Sequence, residues 1–192
     1  MRSFLASAAL CAAALITPMS AQAGFTVKLF ADPVDTGSDV TFGASIGSFQ
    51  SDAISFESNN VTSSDAAWPL ATERFGAEVT GLLRVASDGD YSVSLGSDDG
   101  AYLFLNGALA IARPGDQGYA VSTQTLALLS GDTPFRIAYY NGPCCGTGLT
   151  LTAGDGVTIA AVPEPATYAL MAGGLVIIGT AVRSRRRRWT SA

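Results

Sequence analysis

GDYSVSLGSDDGAYLFLNG, residues 89–107, sets two short runs of alternating character on either side of Asp98-Asp99-Gly100. In the first run Tyr91, Val93 and Leu95 alternate with polar residues. In the second, Tyr102 and Phe104 alternate with Leu103 and Leu105. A period of two is the signature of a strand with one buried face. Asp-Asp-Gly between the runs is turn chemistry. The stretch therefore predicts a β-hairpin around which the rest of the chain packs.

Working outward, further candidate strands are Arg74–Ala86, Ala108–Ala112, Gln124–Leu129, Phe135–Asn141, Leu149–Thr152 and Thr158–Ala161, each closed by Gly, Asp, Asn or Pro. Asp88-Gly89 and Asn106-Gly107 are hairpin dipeptides, because both favour the positive φ of a type I′ turn. Residues 24–70 open with one alternating run, Phe25–Phe30, and then turn rich in Ser, Asp, Asn and Gly, which predicts one strand followed by loops covering the core. Short strands at regular spacing indicate an all-β protein, an antiparallel β-sandwich or barrel.

The chain of 192 residues holds one ordinary domain plus accessory segments. Between residues 24 and 162 there are 15 Asp+Glu against 5 Lys+Arg (Lys28, Arg74, Arg84, Arg113, Arg136), a formal charge of −10. A domain this acidic lacks the clustered cations that nucleic acid requires, so no nucleic-acid partner is expected. It attracts cations instead. The chain has no histidine, which removes the commonest general base and transition-metal ligand. No Ser-His-Asp set can form, and Glu73 and Glu78 read as exposed strand residues rather than a glycosidase pair. The expectation is a protein that is not an enzyme.

The two ends are accessory. Met1–Ala23 carries Arg2, an apolar run Phe4–Ile16, Pro18 and the small-x-small pattern Ala21-Gln22-Ala23, the marks of a secretory signal peptide cut by signal peptidase after Ala23. Residues 162–192 carry Pro163-Glu164-Pro165, an apolar segment Tyr168–Val182 that reads as a single short transmembrane helix, and the arginine cluster Arg183–Arg188. Arginines remain on the cytoplasmic side, so residues 24–161 are expected outside the inner membrane.

This tail resembles the PEP-CTERM sorting signal of Gram-negative bacteria, with its Pro-Glu-Pro motif, short helix and terminal arginines in order. The resemblance implies an inner-membrane-anchored precursor that resides in the membrane transiently. Recognition by an exosortase and processing near Pro163 would follow, with delivery to the cell surface or extracellular space in cells that make exopolysaccharide.

A second resemblance covers Gly81–Gly154, where GLLRV, GDYSVSLGSDDGAYLFLNG, LLSGDTPFRIAYYNG and GLTLTAG follow in order. These blocks resemble the β-sandwich module of anthrax protective antigen, found also in flocculins, GLEYA-type adhesins and fibro-slime proteins. In sugar-binding members two consecutive aspartates and a later asparagine hold a calcium ion that touches ligand hydroxyls. The matching positions are Asp98, Asp99 and Asn141. Adjacent side chains of an extended strand point to opposite faces, so Asp98 and Asp99 can meet one ion only where the backbone departs from extended, as a cis peptide would make it. The alternative is that Ser97-Asp98-Asp99-Gly100 is simply a hairpin turn, with Gly100 at positive φ.

Cys144 and Cys145 are the only cysteines once Cys11 is removed with the leader. Their Cα atoms, about 3.8 Å apart, lie closer than in an ordinary disulfide. A vicinal bond, an intermolecular bond and two free thiols all remain open. Trp68, Tyr91, Tyr102, Tyr139 and Tyr140 are either core residues or stacking platforms for sugar rings. The expected function is calcium-dependent carbohydrate binding in adhesion, linked to extracellular polysaccharide. The alternatives are a structural matrix protein without a ligand and, more remotely, a secreted hydrolase.

Overall fold

The computed structural model describes residues 24–58, 66–71, 74–142 and 146–163. The signal peptide, Glu73, Cys144, Cys145, Glu164, Pro165, Tyr168–Val182 and Arg183–Arg188 lie outside the described residues. Every described element is a strand: β1 (Phe25–Phe30), β2 (Val34–Asp35), β3 (Val40–Thr41), β4 (Ser45–Ser51), β5 (Ser55–Ser58), β6 (Phe75–Val85) and β7 (Gly89–Asp98). Then come β8 (Ala101–Leu105), β9 (Ala108–Arg113), β10 (Ala120–Leu128), β11 (Gly131–Asn141), β12 (Thr147–Ala153) and β13 (Val157–Ala160).

One sheet has the order β4-β1-β6-β11-β8-β9, with β13 also pairing β6, and a second has the order β10-β7-β12-β5. All pairings are antiparallel, and β2–β3 forms a separate hairpin. The all-β antiparallel sandwich expected from the alternation is what forms.

The alternation explains which face each strand buries. Phe135, Ile137 and Tyr139 of β11 face the space between the sheets with Val79 and Leu83 of β6, Val93 and Leu95 of β7, and Leu149 of β12. The intervening Ala138 and Tyr140 face outward, yet they are buried too, with Tyr102, Phe104 and Val40, in a second cluster joined by Phe42. The β2–β3 hairpin supplies that cover. Arg136 ties it down, donating to Asp39 at 2.6 Å while its guanidinium lies 4.2 Å over the Phe104 ring. Both clusters draw on residues between Phe25 and Ala161, so the described core lies within residues 24–162.

Three expectations are corrected. The 89–107 stretch is not a hairpin: β7 lies in one sheet and β8 in the other, so Asp98-Asp99-Gly100 carries the chain across the sandwich. The register shows why, since Asp98 pairs with Gly148 of β12 while Ala101 pairs with Tyr139 of β11. Asp88-Gly89 also crosses between sheets without positive φ, the Asp88 carboxylate accepting from Ser130 N at 2.7 Å instead. Asn106-Gly107 does form the expected turn, with φ of 50° and 81°. Finally, residues 24–70 hold β2–β5 as well as β1, because short strands rich in Ser and Gly carry too little apolar alternation to declare themselves.

Candidate functional site

β7 and β11 end side by side and bring the three expected residues to one place. The Asp98–Asp99 peptide is cis. Asp99 is 7% exposed, and its carboxylate accepts from two loops at once, from Gln117 N at 2.9 Å and from Gly142 N at 2.6 Å. Asn141, the last residue of β11, is also buried; its Nδ2 donates to Gly142 O at 3.0 Å. The Tyr139 hydroxyl donates to the Asp98 carbonyl and lies 3.4 Å from Asn141 Oδ1. One hydroxyl thus binds Asp98 and Asn141, and one glycine binds Asp99 and Asn141.

Burial and then the adjacent Asp99 charge push the Asp98 carboxyl above its ordinary value, opposed by the Tyr119 amide. Burial, followed by the charges of Asp99 and Asp98, holds the Tyr139 phenol well above its usual range, so it stays a neutral donor. No arginine or lysine forms an ion pair with Asp98 or Asp99 among the described residues. Arg113 is buried close by, but spends its donors on Ser97 Oγ, Ser122 Oγ and Gln117 Oε1. Two carboxylates and an amide oxygen are a hard-oxygen donor set of the kind calcium takes. Each Asp99 oxygen accepts one amide and keeps a second lone pair. No cluster of three His, Cys, Asp or Glu ligands occurs among the described residues, so ligands beyond these three would come from backbone carbonyls.

The turn alternative is corrected in one respect. Gly100 has no positive φ; it is required for space, since a Cβ there would lie 2.2 Å from Tyr140 Cε1 and 3.1 Å from Arg113 O.

The loop between β9 and β10 organises the site in a way the sequence does not announce. Two of its amides each serve an aspartate: Gly115 N donates to Asp35 at 2.8 Å and Gln117 N to Asp99. Asp35 is the anchor of the β2–β3 hairpin. It accepts from the Tyr102 hydroxyl, from Gly37 N at 2.8 Å and from the Tyr140 hydroxyl at 3.3 Å. Burial pushes its carboxyl up, but the hydrogen bonds from Tyr102, Gly37, Gly115 and Tyr140 outweigh this and hold it below the ordinary value.

A carboxyl with a lowered folded-state pKa contributes stability that is fully present above the unfolded value, near ~3.9, and lost as pH falls through the folded one. Asp35→Ala is expected to cost about 1.5–3 kcal/mol near neutral pH, the range for hydrogen bonds to a charged group. Asp35→Asn should flatten the acid limb of the stability profile. Thermal unfolding from about pH 6 down to about pH 2 checks this; an acid limb parallel to wild type would remove the carboxylate from the account.

Of the aromatics weighed as sugar platforms, Trp68, Tyr102, Tyr139 and Tyr140 are buried and Tyr91 is partly buried against the core. The residue not anticipated is Tyr119, which is 45% exposed beside Asp98. Its ring lies against Gly96 and Gly148, where any Cβ would collide with it, and its hydroxyl meets Thr150 Oγ1 at 2.7 Å. Nothing local marks Tyr119, except that glycines stand on both strands beneath it. Glu78, expected to be exposed, is half-buried and paired with Lys28 at 3.2 Å.

Comparison with known proteins agrees with both resemblances. The family model of the PA14 domain matches residues 47–158, more than half of the chain, and that of the PEP-CTERM protein-sorting motif matches residues 161–187. No curated protein sequence matches. Among solved structures, the PA14 sugar-binding domain from an RTX adhesin is similar at 16% identity with a TM-score of 0.55, over 73% of this chain and 99% of that one. The PA14 domain of the MpAFP antifreeze protein is similar at 12% identity with a TM-score of 0.55, over 72% and 86%. A β-glucosidase from Kluyveromyces marxianus gives 21% identity and a TM-score of 0.52 over 69% of this chain. The chain spans only 17% of that enzyme's length.

Proposed function

The chain belongs to the PA14 domain family and carries a PEP-CTERM protein-sorting motif, and on that premise we propose that it is an exported surface protein that binds carbohydrate at a calcium ion held by Asp98, Asp99 and Asn141. The carrying observation is the arrangement at the end of β7. Asp99 is locked by amides of two loops while Asp98, half-buried beside it, is left with an adjacent like charge and no ion pair among the described residues. A cation relieves that repulsion. When bound, calcium supplies open positions for sugar hydroxyls; Tyr139 and Gly142 hold the ligand residues in place, and the exposed Tyr119 ring offers an apolar face to the sugar.

Delivery follows from the ends of the chain. A signal peptide at Met1–Ala23 would direct export, the segment Tyr168–Val182 would hold the precursor in the inner membrane, and an exosortase would act at Pro163-Glu164-Pro165. The domain would then serve adhesion or association with extracellular polysaccharide, without catalysis.

The test is thermal unfolding of residues 24–162 with and without calcium. At a hundredfold excess of calcium over its Kd the expected stabilisation is about 2.7 kcal/mol, and Asp98→Asn combined with Asp99→Asn should abolish it. Magnesium, which demands tighter octahedral geometry, should do less. An unfolding temperature indifferent to calcium in the wild type would sink the cation site and leave a structural role for the sandwich.

A further inference from the structure

β12 begins at Thr147, and its inward face follows the period of two. Leu149 and Leu151 join the core between the sheets, and Thr147, two residues earlier, faces the same way and is buried with them. The register fixes where along the sandwich that is. Leu149 pairs with Ser97 and Gly148 with Asp98, so the next step of the same ladder sets Thr147 across from Asp99, where the pairing stops. Thr147 thus aims a hydroxyl into the end of the core that carries Asp99, Tyr139 and Asn141.

That hydroxyl is out of keeping with its surroundings. Thr147 is 6% exposed, and its Oγ1 has no hydrogen-bond partner among the described residues. The Tyr139 phenol is its polar neighbour, but the phenol proton goes to the Asp98 carbonyl. The most Thr147 can do there is turn its own proton towards the phenol oxygen, which leaves both of its lone pairs unused. A buried oxygen in that state is destabilising, and such groups are rare unless an ion, a ligand or a water completes them. Valine would fill the same space without that penalty.

The chemistry of the orphan atom selects its partner. Gln117 Nε2 is also unpartnered, while the same residue's backbone N donates to Asp99 and its Oε1 accepts from Arg113. An amide N–H is a donor only and offers nothing to a cation. Thr147 Oγ1 is a neutral hard oxygen, and calcium takes about six to eight of these in its shell.

We infer that the Thr147 hydroxyl is a further oxygen ligand of the cation held by Asp98, Asp99 and Asn141, joining the backbone carbonyls in filling the coordination shell. The inference rests on the calcium reading above. It gives one residue two opposite effects: in the cation-free protein the hydroxyl is an uncompensated polar group, and in the loaded protein it is a ligand.

The test uses the full chain in detergent micelles, freed of metal with a chelator. Calcium chloride is titrated in by calorimetry, and thermal unfolding is followed with and without the ion. Thr147→Val should weaken calcium binding about tenfold, the low end of the losses seen when a group supporting a metal site is removed. In the chelator the same variant should unfold at the wild-type temperature or above it. Thr147→Ser keeps the oxygen and should recover most of the lost affinity. A Thr147→Val protein that binds calcium as tightly as wild type overturns the inference. So does one that unfolds below wild type in the chelator, since the hydroxyl would then be a structural group of the empty fold. Serine binding as weakly as valine also overturns it, because the loss would then be one of packing. A wild type indifferent to calcium overturns the calcium reading together with the inference, whereas a wild-type shift that Thr147→Val leaves unchanged overturns the inference alone.

Discussion

Trp68→Ala is expected to cost the domain about 3–5 kcal/mol, the range for deleting a buried tryptophan, and to lower its unfolding temperature by more than about 10 °C. Trp68 is fully buried at the centre of the aromatic cluster. It is stacked on Tyr139 at 5.2 Å and 8°, with Phe56 at 4.7 Å and Phe75 at 4.9 Å. Those rings come from β5, β6 and β11, in both sheets, so the cavity would open where the sheets are joined. There is a second consequence. Tyr139 carries the hydroxyl that holds the Asp98 carbonyl, so freeing its ring should also weaken the calcium-induced shift. Denaturant unfolding of residues 24–162 measures the first effect and repetition with calcium the second. A loss under about 1 kcal/mol would show that the neighbours collapse into the space and that Trp68 is no keystone.

Gly100→Ala should be nearly as damaging, at about 3 kcal/mol, the upper end of overpacking costs. Backbone conformation is not the cause, since Gly100 lies outside the positive-φ region. The obstacle is the Tyr140 ring at 2.2 Å from the added Cβ, and that ring is poorly placed to move. Its hydroxyl is held near Asp35 and Asp116, and its amide donates to Gly100 O at 3.0 Å. The variant should therefore lose stability and disturb the Tyr140 hydrogen bonds together. If Gly100→Ala unfolds like wild type, the close packing of Tyr140 on the crossing is wrong. Gly100→Ser should then be tolerated equally.

The period-two alternation of residues 89–107 was enough to read an all-β chain, because burial of one strand face leaves its mark on every second residue. It was ambiguous for β8, where Ala101, Leu103, Tyr102 and Phe104 are all buried, since the β2–β3 hairpin covers the face that would otherwise meet solvent. The sorting motif at 161–187 was legible because its parts are contiguous in sequence. Asp98 and Asp99 stood out for the same reason, as neighbours in the chain.

What the sequence by itself determined about this protein is therefore local: strands and their inward faces, the acidic balance without histidine, the tail motif, and the residue types offered to a cation. Only the tertiary structure decided that Asp98-Asp99-Gly100 crosses between sheets, since a crossing and a hairpin use the same turn residues. Only it showed that one loop threads its amides onto two aspartates and that Asp35 and Asp116 share a tyrosine beside Asp99. The physical reason is separation along the chain. The bonds concerned join residues 18, 43 and 80 positions apart, and such pairings are chosen by sheet register and hairpin docking, to which no periodicity in the intervening sequence is tied.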